Sequence, residues 1–290
     1  MTLLAAGAIA LDTLEGPFGS VTGELGGSAL YFALAASLIA PVEICAPVGR
    51  GDLDRVRRLI GDRPIGLAGL SVLDHPTYRW SARQEAGTNR DLGGQDSIYD
   101  HWQPLVPSGF AGWAFVGSMR PDRQAAAVRS LAGAGLLAGD SMRSYVTDRP
   151  AEVAEVLSAC GWFFANQEEL VALGGDPAQP EEFRERWHID GLVIKAGAAG
   201  CTVWTRTGPE HVPAIESGSV VDVTGAGDAL AGGFLARWML TGGRPDGVTD
   251  ALWHGVACAA IAISEVGLTG LARATSEDLR LMLEGRSPGA

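Results

Sequence analysis

Short apolar segments of strand length alternate with helical patterns along most of the chain, and this alternation constrains the fold more than any other feature. A strand followed by a helix and another strand favours a right-handed crossover and a parallel strand pair. The sequence therefore predicts an α/β fold, with a central, mostly parallel sheet covered by helices on both faces. The predicted strands cover residues 3–11, 42–48, 65–70, 113–116, 136–138, 162–165, 192–194 and 201–205, and the predicted helices cover residues 28–39, 53–60, 120–132, 151–158, 167–173 and 180–187.

The last third of the chain becomes helical. Residues 227–240 and 251–266 are apolar on more than one helical face, which predicts two helices buried against the sheet. The sequence contains no internal repeat and no low-complexity linker that would separate two domains. We therefore expect a single domain over residues 1–290.

One segment in the middle of the chain breaks the alternation. Residues 77–102 mix polar and aromatic types without a helical period, and together with residues 17–23 they predict a few antiparallel strands. We expect these strands to form a small β-strand lid made by segments 13–25 and 74–103. An ordinary surface excursion is the alternative.

Charge and cysteine usage narrow the possible partners. The chain has 22 basic and 34 acidic residues, and its formal net charge of -12 disfavours binding to nucleic acid or to an anionic membrane. The cysteines lie far apart without a CxxC pair, so neither a zinc site nor a disulfide framework is indicated. The apolar segment that begins at Leu3 is interrupted by Asp12, short of a membrane span. We expect a cytoplasmic protein in which any phosphate site is formed locally.

A glycine-rich segment, VVDVTGAGDALAGGFL at residues 220–235, carries the strongest chemical signal. Gly225, Ala226 and Gly227 begin a helix with small residues, so their backbone N–H groups can bind an anion. Asp228 follows directly, and its charge repels phosphate, but it suits a general base that takes a proton from a hydroxyl group. The amides would then hold the charge that grows on a transferring phosphoryl group. The alternative is an ordinary helix start with an acidic first turn.

Two other phosphate-binding motifs do not fit the sequence. The dinucleotide motif GxGxxG fails because Leu230 stands at its third glycine position. The Walker motif needs GK followed by Ser or Thr, but the only lysine of the chain, Lys195, is followed by Ala196. A Rossmann oxidoreductase is therefore disfavoured.

The segment DVTGAGDALAGGFL resembles the C-terminal signature of the ribokinase-like (PfkB-type) carbohydrate and nucleoside kinases. Weaker matches occur in the order that the family has them: GAIALD at residues 7–12, the glycine pair Gly26 and Gly27, NQEE at residues 166–169 and KAGAAG at residues 195–200. The resemblance implies a ribokinase-like fold, with ATP and Mg2+ as cofactors. It also implies a kinase that transfers the γ-phosphate to a hydroxymethyl group of a sugar or sugar-like small molecule.

The resemblance also assigns roles to single residues. Asp228 would be the general base, supported by the amides of residues 225–227. The remaining implied residues are Asp12, Gly26, Gly27 and Ser28 for the substrate, Lys195, Gly197, Gly200, Thr224, His254 and Cys258 for the nucleotide, and Asn166 and Glu169 for magnesium through water.

Local sequence leaves alternatives open for several of these residues. Asp12 could cap a turn, because carboxylates often bond to backbone N–H groups nearby. Asn166 and Glu169 match a helix N-cap with its capping-box glutamate. Lys195 could extend its aliphatic stem along a strand end towards water. His254 could serve only to pack its helix.

One position departs from the family's pattern. The family places an asparagine five residues after the first glycine of the pair, and this chain has Tyr31 there. The departure disfavours ribose itself as the substrate. The Tyr31 ring could stack on a sugar face or a base, or it could join the apolar helix surface with Phe32 and Leu34.

The sequence of the predicted lid does not identify the acceptor compound. Arg79 and Arg83 are expected to bind substrate, and with Trp80, Asn89 and Arg90 they suggest a ligand with further polar or anionic groups. The alternatives are a nucleoside kinase of the same fold and a non-catalytic sensor that binds a sugar or a nucleotide. Lids of the ribokinase type often pair between subunits, so the resemblance implies a homodimer through the lid.

Overall fold

Two β sheets form the framework of the protein. The computed structural model describes residues 2–85, 87–215, 218 and 220–285. Residue 86 of the predicted lid and residues 1, 216, 217, 219 and 286–290 of the predicted domain lie outside the described residues. The strands are β1 (Leu3–Ala6), β2 (Ala10–Gly16), β3 (Gly19–Gly26), β4 (Val42–Gly49), β5 (Ile65–Leu73), β6 (Tyr78–Glu85), β7 (Thr88–Gln95), β8 (Trp113–Val116), β9 (Leu136–Asp140), β10 (Trp162–Asn166), β11 (Gly191–Lys195), β12 (Cys201–Thr205) and β13 (Gly208–Val212).

The larger sheet has the strand order β13-β12-β11-β10-β9-β8-β1-β4-β5. Its strands are parallel from β11 to β5, and the edge formed by β12 and β13 is antiparallel. The helices are α1 (Ser28–Ala36), α2 (Leu53–Ile60), α3 (Pro121–Ser130), α4 (Arg143–Asp148), α5 (Pro150–Ala159), α6 (Gln167–Ala172), α7 (Pro180–Arg186), α8 (Ala226–Leu240), α9 (Val248–Ala262), α10 (Thr269–Arg273) and α11 (Ser276–Glu284).

Both faces of the larger sheet are covered by apolar side chains of helices. Successive residues of β1 point to opposite faces, so Leu3 belongs to the core beneath α1, α8 and α9, whereas Leu4 belongs to the core beneath α3 and α5. The predicted burial of the two C-terminal helices is confirmed, because most residues of α8 and α9 are buried. Small residues also let α8 approach α1 closely. A Cβ on Gly232 would lie 2.4 Å from the Phe32 carbonyl oxygen. The mostly parallel sheet, with helices on both faces, confirms the predicted α/β fold.

The smaller sheet has the order β3-β2-β6-β7. It pairs β2 with β3 and β6 with β7 in antiparallel hairpins, and the central pair β2 and β6 is parallel. The residues predicted to leave the main sheet thus form a small sheet of their own. Among the described residues there is no helix with the length and apolar character needed to cross a membrane. Dimerisation through the smaller sheet stays a prediction.

The predicted strand at residues 3–11 is wrong as a single element. It divides into β1 in the larger sheet and β2 in the smaller sheet. At the crossing, the Ala8 N–H donates to Ser28 Oγ at 3.0 Å, and the Ser28 hydroxyl donates to the Ser118 carbonyl at 2.8 Å. Gly27, at φ 96°, packs on the Ala8 backbone, where a Cβ would lie 2.5 Å from the carbonyl oxygen. These contacts with the start of α1 turn the chain out of the larger sheet.

Candidate active site

The carboxyl ends of three neighbouring parallel strands bring polar side chains together. β9 ends at Asp140, β10 at Asn166 and β11 at Lys195. The strands are adjacent in the sheet, and Asn166 pairs with Lys195 in register. Ligands of open α/β sheets bind beyond this edge. The residues predicted to bind nucleotide phosphates and magnesium therefore lie next to one another.

Asn166 and Glu169 form a capping box at the start of α6. Asn166 Oδ1 accepts a hydrogen bond from the Glu169 N–H at 2.8 Å, and Glu169 Oε2 accepts one from the Asn166 N–H at 2.8 Å. The structural alternative for this pair is therefore present in full. Among the described residues, no group of three or more His, Cys, Asp or Glu side chains is arranged to hold a metal ion directly. The role of the pair in holding magnesium through water stays a prediction.

Lys195 lies among carboxylates. Its Nζ is 3.8 Å from Glu169 Oε2, and both side chains are largely buried. Burial lowers the pKa of Lys195, but the nearby charges of Glu169, Asp140 and Asp228 raise it above its ordinary value. The ammonium group is therefore charged at neutral pH, and it can contact an anion that enters the site.

The segment that we call the glycine turn, residues 221–225, leads into α8. Asp222 holds it: Oδ1 accepts from the Thr224 N–H at 2.9 Å, and Oδ2 accepts from the Gly267 N–H at 2.8 Å. α8 then begins without a side-chain cap. Gly225 has φ 71°, and a Cβ there would lie 2.1 Å from the ring of Tyr31. The glycine lets the backbone turn here, and the first N–H groups of α8 are left without a side-chain acceptor.

Gly227, in the first turn of α8, is close to the lysine. A Cβ at Gly227 would lie 2.7 Å from Lys195 Nζ. The helix start, which has no side-chain cap, therefore lies close to the ammonium group, while the Ala226 N–H donates to the Val223 carbonyl at 3.3 Å. Both favour negative charge, the amides through the helix dipole and the lysine through its full charge.

Asp228 lies in the first turn of α8 beside these groups. Its Oδ1 is buried and has no hydrogen-bond partner among the described residues. Burial raises the pKa of Asp228 to about 7, with Lys195 lowering it and Glu169 raising it. A carboxylate with a pKa near the working pH is well suited to accept a proton from a bound hydroxyl group.

Asp140 is a site residue that the sequence analysis missed. It is 5% exposed, and its Oδ1 is buried without a hydrogen-bond partner in the described part of the chain. Burial raises its pKa well above the ordinary value, and the charge of Asp228 adds to the shift. The signal was a carboxylate directly after an apolar strand, as at Asp12. It was overlooked because the strand was predicted to end at residue 138.

Asp12 lies on β2, on the smaller sheet. It is 2% exposed, and a Cβ on Gly26 would lie 1.8 Å from its Oδ2, so the glycine makes room for the carboxylate. Burial, with the charges of Asp222 and Asp228, raises the pKa of Asp12 to about 8. Oδ1 has no hydrogen-bond partner within the described residues, so Asp12 does not cap a turn with that atom. An unpaired buried acceptor of this kind suits a ligand hydroxyl group.

The smaller sheet presents one face to the site. Asp12 pairs in register with Trp80, so both side chains lie on that face. Gln84, four residues further along β6, shares it, whereas Arg79 and Arg83 alternate to the opposite face. Arg79 is exposed, and Arg83 is paired with Glu15 at 2.8 Å. In this structure both arginines lie away from Asp12, and their contact with a substrate stays a prediction.

Three other predicted contacts need correction. Ser28 uses its hydroxyl to hold the crossing between the two sheets, so this group is not free for a substrate. Tyr31 is 1% exposed and packs beneath Gly225, as the helix-surface alternative predicts. Cys258 is fully buried against α8, where a Cβ on Gly233 would lie 2.7 Å from its Sγ. All three side chains are buried in this structure.

The other residues assigned to the nucleotide lie in turns or helices around the site. Gly197 and Gly200, with φ 56° and 91°, shape the turn that follows Lys195. Thr224 is 6% exposed and belongs to the glycine turn. His254 Nδ1 lies 2.7 Å from the Asp250 carbonyl oxygen in its own helix, which agrees with a packing role. Nucleotide contacts by these residues stay predictions.

Comparison with known proteins places this geometry in a family. Residues 102–274 match the pfkB family carbohydrate kinase. An ATP-dependent ribose-1-phosphate kinase of Halopiger xanaduensis is 34% identical over 152 residues, which are 52% of this chain and 48% of that protein. A nucleoside kinase of Methanocaldococcus jannaschii is 34% identical over 59 residues, 20% of this chain and 19% of that protein. The matched segments thus span half or less of the length of these relatives.

Solved structures share the fold over almost the whole chain. Burkholderia thailandensis nucleoside kinase in complex with inosine has a TM-score of 0.79 at 20% identity, covering 98% of this chain and 96% of that one. Aminoimidazole riboside kinase from Salmonella enterica, complexed with aminoimidazole riboside and an ATP analog, has a TM-score of 0.78 at 22% identity, covering 98% and 100%. At these identities the likeness shows the fold. Together with the family match, it establishes that the chain belongs to the pfkB family of carbohydrate kinases, with the ribokinase-like fold.

Proposed function

We propose that the protein is an ATP-dependent kinase that transfers the γ-phosphate to a hydroxymethyl group of a sugar or sugar-like molecule. The observation that carries this proposal is the position of Asp228. A buried, unpaired carboxylate oxygen lies beside an uncapped helix start and a buried lysine. Phosphoryl transfer needs these three elements together, because one group accepts a proton while the others stabilise charge.

The acceptor side of the site suits a polyhydroxyl compound. Asp12 would accept hydrogen bonds from ring hydroxyl groups, and Gly26 leaves the space that its carboxylate needs. Asp228 would take the proton of the attacking hydroxyl group. The amides of residues 225–227 and the Lys195 ammonium would hold the charge on the transferring group.

The nucleotide side uses the ends of the larger sheet. Lys195 and the turn with Gly197 and Gly200 would contact ATP. Magnesium, when bound, supplies positive charge to the nucleotide phosphates. Asn166 and Glu169 would hold it through water, because the capping box already uses the side-chain oxygens that hydrogen-bond to the backbone.

A nucleoside acceptor is the second candidate, and Trp80 favours it. The half-buried indole lies on the same sheet face as Asp12, and its N–H donates to Asp91 Oδ1 at 3.0 Å, which fixes the ring plane. A fixed aromatic surface can stack on a base as well as on the apolar face of a sugar. Structural neighbours include nucleoside and riboside kinases.

The charges around the acceptor argue for a neutral compound. Burial raises the pKa values of Asp12 and Asp140, so both carboxyl groups are largely uncharged at neutral pH and suit neutral hydroxyl groups. The arginines at positions 79 and 83 lie on the face of β6 opposite to Trp80, so neither would face a phosphate group carried by the acceptor. We therefore expect inosine or fructose to be better acceptors than ribose 1-phosphate.

The test is a phosphorylation assay with Mg-ATP and a panel of fructose, ribose, inosine, adenosine and ribose 1-phosphate. Asp228→Asn should lower kcat about 100-fold or more with the best acceptor, as loss of a general base does. Asp246→Asn, at an exposed carboxylate paired with Arg244, is the matched control and should retain full activity. Activity of Asp228→Asn within a few-fold of the unmodified protein would refute the assigned role.

A further inference from the structure

The hairpin of β6 and β7 reaches the glycine turn with two amide side chains. Gln84 Oε1 accepts a hydrogen bond from the Val223 N–H at 3.0 Å, and Gln84 Nε2 donates to the Val221 carbonyl at 3.4 Å. Asn89 Nδ2 donates to Thr224 Oγ1 at 2.8 Å. Two side chains of the smaller sheet thus hold three residues of the segment that begins the candidate anion site.

These contacts are part of the hairpin's geometry. Gln84 and Asn89 are register partners on neighbouring strands, so their side chains leave the same face of the sheet. The Gln84 amide bonds to one N–H and one C=O of the turn, as a neighbouring strand would. The Gln84 side chain thereby provides hydrogen-bond partners for the Val223 N–H and the Val221 carbonyl, which belong to no strand.

The glycine turn is held from its other side by a separate set of bonds. The Val221 N–H donates to the Ile263 carbonyl at 2.8 Å, and Asp222 bonds within the turn and to Gly267. Gln84 and Asn89 supply the bonds on the side of the smaller sheet. The position of Gly225 and Asp228 therefore depends on the smaller sheet as well as on the residues that follow α9.

We propose that Gln84 and Asn89 are positioning residues for phosphoryl transfer: they fix the glycine turn, and through it the first-turn amides and the carboxylate of Asp228. This inference rests on the proposed function. It also connects the acceptor with the anion site, because Trp80 and Gln84 lie on one face of one strand. An acceptor that packs on Trp80 steadies the strand whose Gln84 orders the catalytic turn.

The decisive variant is Gln84→Met, which keeps the length of the side chain and removes both hydrogen bonds. A misplaced catalytic group should lower kcat by about 10- to 100-fold, while the KM values for ATP and acceptor change little, because the binding groups remain. Gln95→Met places the same substitution at an exposed position of the same hairpin and should behave as the unmodified protein. Equal kcat for Gln84→Met and Gln95→Met would overturn the proposal.

A double-mutant cycle tests Asn89. Asn89→Ala and Thr224→Val each remove the same hydrogen bond, so the double variant should lose no more kcat than the worse single variant. Fully additive losses would show that the two side chains act independently, and would overturn the role of Asn89.

Backbone amide hydrogen exchange separates this inference from the proposed function, because it needs no turnover. In Gln84→Met, the Val223 amide and the amides of residues 225–228 should exchange faster, while the amides of β10 keep their protection. Unchanged exchange in the turn would overturn the positioning role, even in an active enzyme. A protein that phosphorylates no compound of the panel yet shows this exchange pattern would refute the proposed function and leave the contact intact.

Discussion

The candidate site has one wall from each sheet, and the two walls differ in how they are supported. β9, β10 and β11, which carry Asp140, Asn166 and Lys195, are buried on both faces along nearly their whole length. β6 alternates exposed residues with buried or half-buried ones along most of its length, and no residue of β7 is buried. Strands buried on both faces open rarely, whereas strands with an exposed face and few apolar contacts move more readily.

This difference suggests a division of labour. Groups that need fixed positions, the lysine and the first turn of α8, are attached to the larger sheet. Groups that contact the variable part of the reaction, the acceptor, lie on the smaller sheet. If this division is correct, variants of the first wall change the rate of transfer, as do variants of Gln84 and Asn89, which hold the glycine turn. Variants of the acceptor-facing residues Asp12 and Trp80 change the recognition of the acceptor.

The largest effect is expected for Lys195→Met. Loss of the ammonium group removes charge stabilisation, so kcat/KM for ATP should fall about 100-fold or more. Burial raises the pKa of Asp228 and Lys195 lowers it, so without the lysine that pKa rises further above about 7. The base must be deprotonated to act, and activity is lost as the pH falls through its pKa. The acid limb of the kcat profile should therefore move to higher pH.

Two controls accompany this experiment. Lys195→Arg retains a positive charge, so its acid limb should stay near that of the unmodified protein, even if kcat falls. Arg206→Met removes a cation at an exposed position and should change neither kcat nor the profile. An acid limb that stays in place in Lys195→Met would show that the lysine does not influence the base.

The next effect concerns the smaller sheet. Trp80→Leu removes the aromatic surface beside Asp12, and the KM of the acceptor should rise about tenfold while kcat and the KM for ATP stay nearly constant. Trp204→Leu, on β12 next to the edge strand β13, is the matched control. Initial rates over a range of acceptor concentrations measure both. A fall in kcat with unchanged acceptor KM would contradict the division between the walls.

The sequence predicted the first wall better than the second. The predicted strands at residues 136–138, 162–165 and 192–194 lie within β9, β10 and β11, because continuous apolar runs mark buried strands clearly, but each ends before the polar site residue. The glycine turn was predicted because its residues follow one another in the chain. Its geometry needs only a helix start and local backbone freedom.

The second wall depends on pairings that local sequence does not contain. Alternation in β6 divides the side chains into two sets, but it does not say which set faces the site. The pairing of Asp12 with Trp80 decides that, and it turns Arg79 and Arg83 away. The exit of the chain from the larger sheet after Ala6 depends on contacts with Ser28 and Gly27, which lie about 20 residues further on.

The smallest effect is expected on stability, and it concerns Asp12, the buried carboxyl group of the second wall. Burial, with Asp222 and Asp228, raises the pKa of Asp12 from its ordinary 3.8 to about 8, so the folded state holds a proton that the unfolded state releases. The stability linked to this proton is fully present below about pH 4 and is lost as the pH rises through 8. Asp12→Asn cannot ionise, so its Tm should exceed that of the unmodified protein by about 5 °C or more at pH 9.

The pH dependence of this difference is the informative quantity. Thermal unfolding at intervals from pH 5 to pH 9 should show an advantage of Asp12→Asn that grows steadily with pH, while the exposed control Asp246→Asn shows a constant offset. A constant offset for Asp12→Asn would mean that Asp12 ionises as an exposed carboxyl group does. The growing advantage, combined with weaker use of the acceptor, would show that this carboxylate is kept at a cost in stability because the acceptor needs it.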